Sequence, residues 1–114
     1  MEIDKNKTIK KEITKLNKIA KNVPADKKVI ADNLVKELAF MSSTLEELRE
    51  NVKENGAVDY FVNGKQEMWR ESPALKSYNT TIQRYSLLYR QLTDLLPKSE
   101  ATPGSELLGF INED

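Results

Sequence analysis

Two long apolar seams bound what this chain can fold into. Leu34, Leu38, Met41, Leu45, Leu48 and Val52 step by 4, 3, 4, 3 and 4 residues. Leu75, Tyr78, Ile82, Tyr85, Tyr89, Leu92 and Leu96 step by 3, 4, 3, 4, 3 and 4. This spacing keeps one stripe of an α-helix facing a partner helix, as in coiled coils. The helices are of similar length, about 24 to 30 residues or 36 to 45 Å at 1.5 Å per residue. Two matched seams on one chain predict an antiparallel helical hairpin.

The ends of these helices carry their own signals. The second helix of the chain is expected from about Ala25 to Asn55, where Asn55-Gly56 supplies the left-handed residue that closes a last turn. Thr44-x-x-Glu47 has the form of a capping box, but the seam passes through it unbroken, so at most a kink is expected. The third helix has Ser72 as a cap and Pro73 at the favoured first position, and Pro97 stops it. A shorter first helix runs from about Lys7 to Asn22, with Ile9, Ile13, Leu16, Ala20 and Val23 on one face. Val23-Pro24 breaks it, because proline disfavours helical geometry in the residue before it.

Between the seams lies DYFVNGKQEMWRESP, residues 59 to 73. Its apolar residues alternate around Asn63-Gly64, a strong signal for a two-residue hairpin turn. That turn sets Val62 opposite Lys65, Tyr60 opposite Glu67 and Val58 opposite Trp69, with Val58, Tyr60 and Trp69 on one side. An isolated ribbon is marginal in water, so this side needs cover, from the chain's own helices or from a second copy. The seam tyrosines Tyr78, Tyr85 and Tyr89, with Tyr60 and Trp69, are the expected oligomer-interface aromatics. Val29, Val35, Phe40, Leu87, Leu88 and Leu95 lie beside the seams and are left over. Leftover apolar positions mark a further packing face, so a homo-oligomer of more than four subunits is expected.

The fold class is thus mainly α. An N-terminal basic helix (1–28) precedes a helical hairpin core (29–97) with a β-hairpin arm at 57–71. A polar linker and short apolar segment (98–114) follow.

Several chemistries are excluded by what is missing. The chain has no cysteine and no histidine, which removes thiol nucleophiles, Ser-His pairs and the common zinc sites. Its four glycines, Gly56, Gly64, Gly104 and Gly109, form no phosphate loop and no dinucleotide fingerprint. Glu46, Glu47, Glu50 and Glu54 are the densest carboxylates and read as a solvated face rather than a magnesium site. No enzyme activity, metal or cofactor is expected. No apolar run is long enough to span a bilayer, no secretory segment is found at the start, and a cytoplasmic location is expected.

The formal net charge is zero, but it is unevenly spread. Residues 1–28 hold nine lysines against Glu2, Asp4, Glu12 and Asp26, a net of +5. Residues 97–114 hold Lys98 against Glu100, Glu106, Glu113 and Asp114, a net of −3. A basic arm and an acidic tail point to two different partners. On the first helix Lys7, Lys11, Lys15 and Lys18 fall together opposite the apolar face. They, with Lys10, Lys21, Lys27 and Lys28, form either an ordinary solvated face or a strip for phosphates or an acidic protein. If the partner is DNA they are the candidate DNA-binding residues, because lysines replace the counterions condensed on phosphates. Base reading wants Arg, Asn or Gln in a groove. Only Asn6, Asn17 and Asn22 are available there, so backbone-dominated binding is expected. In the tail, Leu107, Leu108, Phe110 and Ile111 form an apolar cluster between acids. It reads as a partner-docking segment on a polar linker, or as a segment that folds back on the hairpin.

The segment AFMSSTLEELRENVKENG, a short NG arm, and then SPALKSYNTTIQRYSLLYRQLTDLLP resemble the small terminase subunit of tailed bacteriophages. The resemblance covers about residues 28 to 97. It is carried by TLEEL followed by ENG, SP opening the last helix, YNTTIQRY and the final QLTDLLP, in that order and spacing. It implies a non-enzymatic, mainly helical protein that assembles into a ring in the host cell cytoplasm. Such a protein binds viral double-stranded DNA at the packaging start and presents it to the large terminase subunit, which carries the ATPase and nuclease. No helix-turn-helix with a short turn and a recognition helix is found across Pro24. Two other readings fit the residues: a self-assembling coiled-coil scaffold without a nucleic-acid role, and a small DNA-binding regulator or antitoxin.

Overall fold

The computed structural model describes residues 5–97. Helix α1 spans Lys5–Ala20, and a 3-10 turn at Ala25–Lys27 leads into α2, Lys28–Asn55. Strands β1 (Val58–Asn63) and β2 (Gln66–Glu71) form the arm, and α3 is Pro73–Asp94. The protein is mainly helical with one small two-stranded antiparallel sheet, as the seams and the turn signal require. No helix among the described residues is long and apolar enough to cross a membrane.

Helix α2 is the centre of the fold and packs against both α1 and α3. The first turn of α1 meets the middle of α2, where Lys5 pairs with Glu47 at 2.9 Å and Thr8 donates to Glu46 at 3.3 Å. The last turn of α1 lies at the start of α2, where Lys28 Nζ donates to the Ala20 carbonyl at 2.7 Å. That bond caps α1 by giving the Ala20 carbonyl, which also accepts from the Val23 amide, a second donor.

Three helices therefore overlap only along the first two-thirds of α2, and the core sits there. Leu16, Ile19, Val23, Ala31, Val35, Leu38 and Leu92 are buried together, with Tyr85, Leu88 and Tyr89 packed against them. Beyond Glu47 the hairpin is two helices thick. Its seam residues there, Leu48, Val52, Leu75 and Tyr78, are only half-buried. Leu38 is fully enclosed, so truncating it leaves a hole that the neighbours cannot fill. Leu38→Ala is expected to lower stability by about 3 kcal/mol and the melting midpoint by roughly 15 °C. Thermal unfolding of the two chains at equal concentration checks this.

Three details differ from expectation. Helix α1 starts and ends two residues earlier than its apolar pattern suggests. Lys5 reaches Glu47 at the early start, and the Asn22 and Val23 amides bond to the Ile19 and Ala20 carbonyls, tightening the exit. Before α2, Pro24 admits a single 3-10 turn rather than an α-helical start. At Thr44 the outcome is as the unbroken seam requires: no cap forms there. The Thr44 hydroxyl donates back to the Phe40 carbonyl at 3.3 Å, and α2 runs through without a break. Helix α3 ends at Asp94 and leaves Leu95 and Leu96 in a turn whose amides bond to Leu92 and Thr93 carbonyls. Its start is as read: the Ser72 hydroxyl accepts from the Leu75 amide at 3.3 Å, ahead of Pro73.

Val35 is a correction of another kind. It is not a leftover but 2 % exposed in the core, because α1 covers the flank of α2 that a two-helix hairpin leaves open. Leu88 and Leu95 are likewise partly buried against the core. Val29, Phe40 and Leu87 do remain exposed.

The arm's turn sits one residue later than expected, which shifts the register by two residues. Asn63 faces Gln66, Val62 faces Glu67, Tyr60 faces Trp69 and Val58 faces Glu71. The turn residues are therefore Gly64 and Lys65. Gly64 holds φ at +63°, and among the described residues no non-glycine residue has a positive φ. That is the pattern of a type II′ turn with glycine first, whereas the expected type I′ turn at Asn63-Gly64 would put Asn63 at positive φ as well. Each partner moves by two residues, so the face assignments survive. Val58, Tyr60, Val62 and Trp69 still share one side.

Candidate nucleic-acid interface

Helix α1 turns its apolar stripe to α2 because Ile13, Leu16, Ile19 and Ala20 recur at helical spacing and find α2 and α3 there. The opposite face then has no choice but to point outward. Lys7, Lys10, Lys11, Lys15, Lys18 and Lys21 are all exposed. At about 100° per residue the six cover an arc of roughly 140°. Lys15 also lines the groove between α1 and α3. Lys27 is exposed in the 3-10 turn, at the same end as Lys21. Lys28 is different. Its ammonium is committed to the Ala20 carbonyl, and it holds α1 to α2 rather than joining the exposed face. Sequence periodicity could not separate it from the others, since its role depends on a contact eight residues back along the chain.

A groove of about 780 Å³ runs between α1 and α3, beside this face. Buried Leu16 and Ile19 from α1 and half-buried Tyr85 and Tyr89 from α3 form its floor. Lys15, Glu12 and Arg90 stand at its edges. The tyrosine rings lie 6.0 Å apart, tilted at 32°. Burial, with Glu12 and Tyr89 nearby, pushes the Tyr85 hydroxyl up to about 12 from its ordinary 10.0. Burial, then Glu12, raises Tyr89 in the same direction.

The sign of that shift gives a pH dependence. A phenolate is disfavoured in the folded protein, so this stability is fully present below pH 10. It is lost as pH rises from about 10 towards about 12, where unfolding releases a proton. Tyr85→Phe removes its share of the effect and leaves that of Tyr89. The parent's urea midpoint is expected to fall more between about pH 9 and pH 11 than that of Tyr85→Phe. Equal falls reject the assignment.

The other aromatics gather at the far end. Arg49 stacks on Tyr78 with its guanidinium 5.8 Å from the ring centre and donates to the phenol oxygen at 3.3 Å. That hydrogen bond is the main reason the Arg49 pKa is raised. The bond joins α2 to α3 near the arm, where the seam is thin. On the arm Tyr60 and Trp69 meet edge to face at 5.2 Å, and the Tyr60 hydroxyl donates to Glu67 at 2.9 Å. The opposite side carries Arg70 over the Phe61 ring at 4.3 Å, with Arg70 paired to Asp59 at 3.1 Å. Tyr60 is 47 % and Trp69 69 % exposed, and Val58 and Val62 are more than half exposed. The chain's own helices leave this side bare.

The five aromatics expected at an interface thus divide into two groups: Tyr60 and Trp69 on an open face, and Tyr78, Tyr85 and Tyr89 half-buried within the chain. The glutamates are placed too: Glu46 and Glu47 hold α1, and Glu50 pairs with Lys53 at 3.4 Å. The docking residues Leu107, Leu108, Phe110 and Ile111 lie outside the described residues. The groove itself was not foreseen. Its walls come from residues 12–19 and 83–90, which no local pattern links. No family model, no curated protein and no solved structure matches this chain.

Proposed function

We propose that this chain is a small terminase subunit. On this reading it is a non-enzymatic oligomer that binds viral double-stranded DNA and recruits the large ATPase and nuclease subunit in the host cell cytoplasm. The observation that carries the reading is the lysine face of α1, held outward by a buried apolar stripe and a capped end. Lys10, Lys11, Lys15 and Lys18 on α1 and Lys21 just past its end span little more than three helical turns, and Lys7 extends the row. A phosphate backbone is the polyanion whose charge spacing suits such a row, and each neutralised phosphate releases counterions. Asn6 and Asn17 lie on the same helix as the nearest base readers. Specificity is then modest per chain and grows with the number of faces an oligomer presents.

The resemblance over residues 28 to 97 and the open arm face both support assembly. Binding of duplex DNA to the full chain, measured by anisotropy across a salt series, tests the reading. Contact with about five phosphates per chain gives a log–log slope near −4 to −5. Sedimentation of the same sample gives the subunit number. A large oligomer that ignores DNA at low salt would instead mark a self-assembling scaffold. A dimer that prefers a palindrome would mark a DNA-binding regulator.

A further inference from the structure

We propose that the groove between α1 and α3 is the seat of this chain's own segment 107–111, docked in cis. Three observations converge on that occupant. The first is chemical. The floor is apolar and aromatic, Leu16 and Ile19 with Tyr85 and Tyr89, while Leu87 on its lip is 60 % exposed. The segment offers Leu107, Leu108, Phe110 and Ile111, four side chains whose burial is favourable only against such a surface.

The second is electrostatic. The groove's edges carry Lys15 and Arg90 against one acid, Glu12. The segment is flanked by Glu106 before it and Glu113 and Asp114 after it, with no base between residues 104 and 114. Opposite charge on rim and flanks sets orientation and disfavours other apolar surfaces nearby. The exposed arm face is one such surface, and it presents Glu67 and Glu71 on the same side, which repel the segment.

The third is reach. Helices α1 and α3 both run antiparallel to α2, so they are parallel to each other, and α3 ends beside the base of the groove. From Pro97 back to the level of Tyr85 and Tyr89 is about 15 Å along α3 at 1.5 Å per residue. Residues 98–106 can span roughly 30 Å when extended, so the linker turns back with length to spare. A tether of this kind gives a local concentration on the order of millimolar. A segment with an intrinsic affinity of about 0.1 mM would then be seated about ten times in eleven. A partner that takes the same segment must first draw it out of the groove, and docking brings acids beside Lys15 of the lysine face.

The chain has no cysteine, so introduced pairs report contact without background. Gly109→Cys combined with Ser86→Cys, a groove residue, is compared with Gly109→Cys combined with Gln91→Cys. Gln91 is exposed, lies closer along the chain, and does not line the groove. Under mild oxidation the first pair is expected to close within one chain about ten times faster than the second, the ratio expected from the seated fraction. Adding Leu108→Asp to the first pair is expected to erase that advantage. Equal rates, no cross-link in either pair, or an advantage that survives Leu108→Asp overturns the proposal. A cross-link that joins two chains also overturns it, placing the segment in a second copy. None of these readouts depends on DNA.

Discussion

A chain carrying Lys7→Glu, Lys11→Glu, Lys15→Glu and Lys18→Glu is expected to lose duplex binding by a factor on the order of a thousand or more at moderate salt. Four attractive charges become four repulsive ones on the same exposed face, and the effect repeats in every subunit of an oligomer. The fold should tolerate the change. All four positions are exposed, and glutamate is nearly as good a helix former as lysine. The apolar stripe and the Lys28 cap are untouched. The added repulsion between residue 15 and Glu12 amounts to only a few tenths of a kcal/mol. The loss should be alike on all duplexes, because backbone contacts carry no sequence information. Circular dichroism establishes that α1 persists, and anisotropy with two unrelated duplexes measures the loss. If the variant binds as the parent does, the strip is only a solvated face. The DNA site would then have to be sought at Arg84, Arg90 or in the arm.

The seams were legible because periodicity reports which residues share a face, and every seam residue of α2 and α3 is at least half-buried. Periodicity does not report how many neighbours a helix has. Val35 looked spare for that reason, since only the arrival of α1 on the second flank of α2 buries it. The same limit hid Lys28. By composition it belongs with the other lysines, and only the antiparallel return of α2 brings it to the Ala20 carbonyl. Ser72-Pro73 was readable because capping is a local matter. The arm's register was not, because Asn63-Gly64 and Gly64-Lys65 both make two-residue turns. Only the sign of φ at Asn63 separates them. The lysine face followed from the apolar face opposite it, but the groove beside it did not.

On the proposed reading the arm joins copies of the chain, and its loss is then expected to be the most disruptive surface change available. Val58, Tyr60, Val62 and Trp69 stand on one side of a ribbon that the chain's own helices leave bare. A lone two-stranded ribbon is marginal in water, and a T-shaped Tyr–Trp pair adds only about 1 kcal/mol beyond its buried area. Aromatic residues in such a position are the usual anchors of an interface, each worth 2 kcal/mol or more when removed. Tyr60→Ala with Trp69→Ala is therefore expected to weaken assembly by about three orders of magnitude, the equivalent of roughly 4 kcal/mol. The helices should remain, since the core lies at the opposite end, around Leu16, Leu38 and Leu92. Two measurements check this. Sedimentation should show a multiple of the chain mass for the parent and a much lighter species for the double variant at the same micromolar concentration. Trp69 is the chain's single tryptophan, so its emission reports this face alone. It should be blue-shifted in the concentrated parent and move to the red on dilution as the indole regains water. An emission that ignores concentration, or a double variant as heavy as the parent, would move the interface away from the arm, to exposed Val29, Phe40 and Leu87 on the helices.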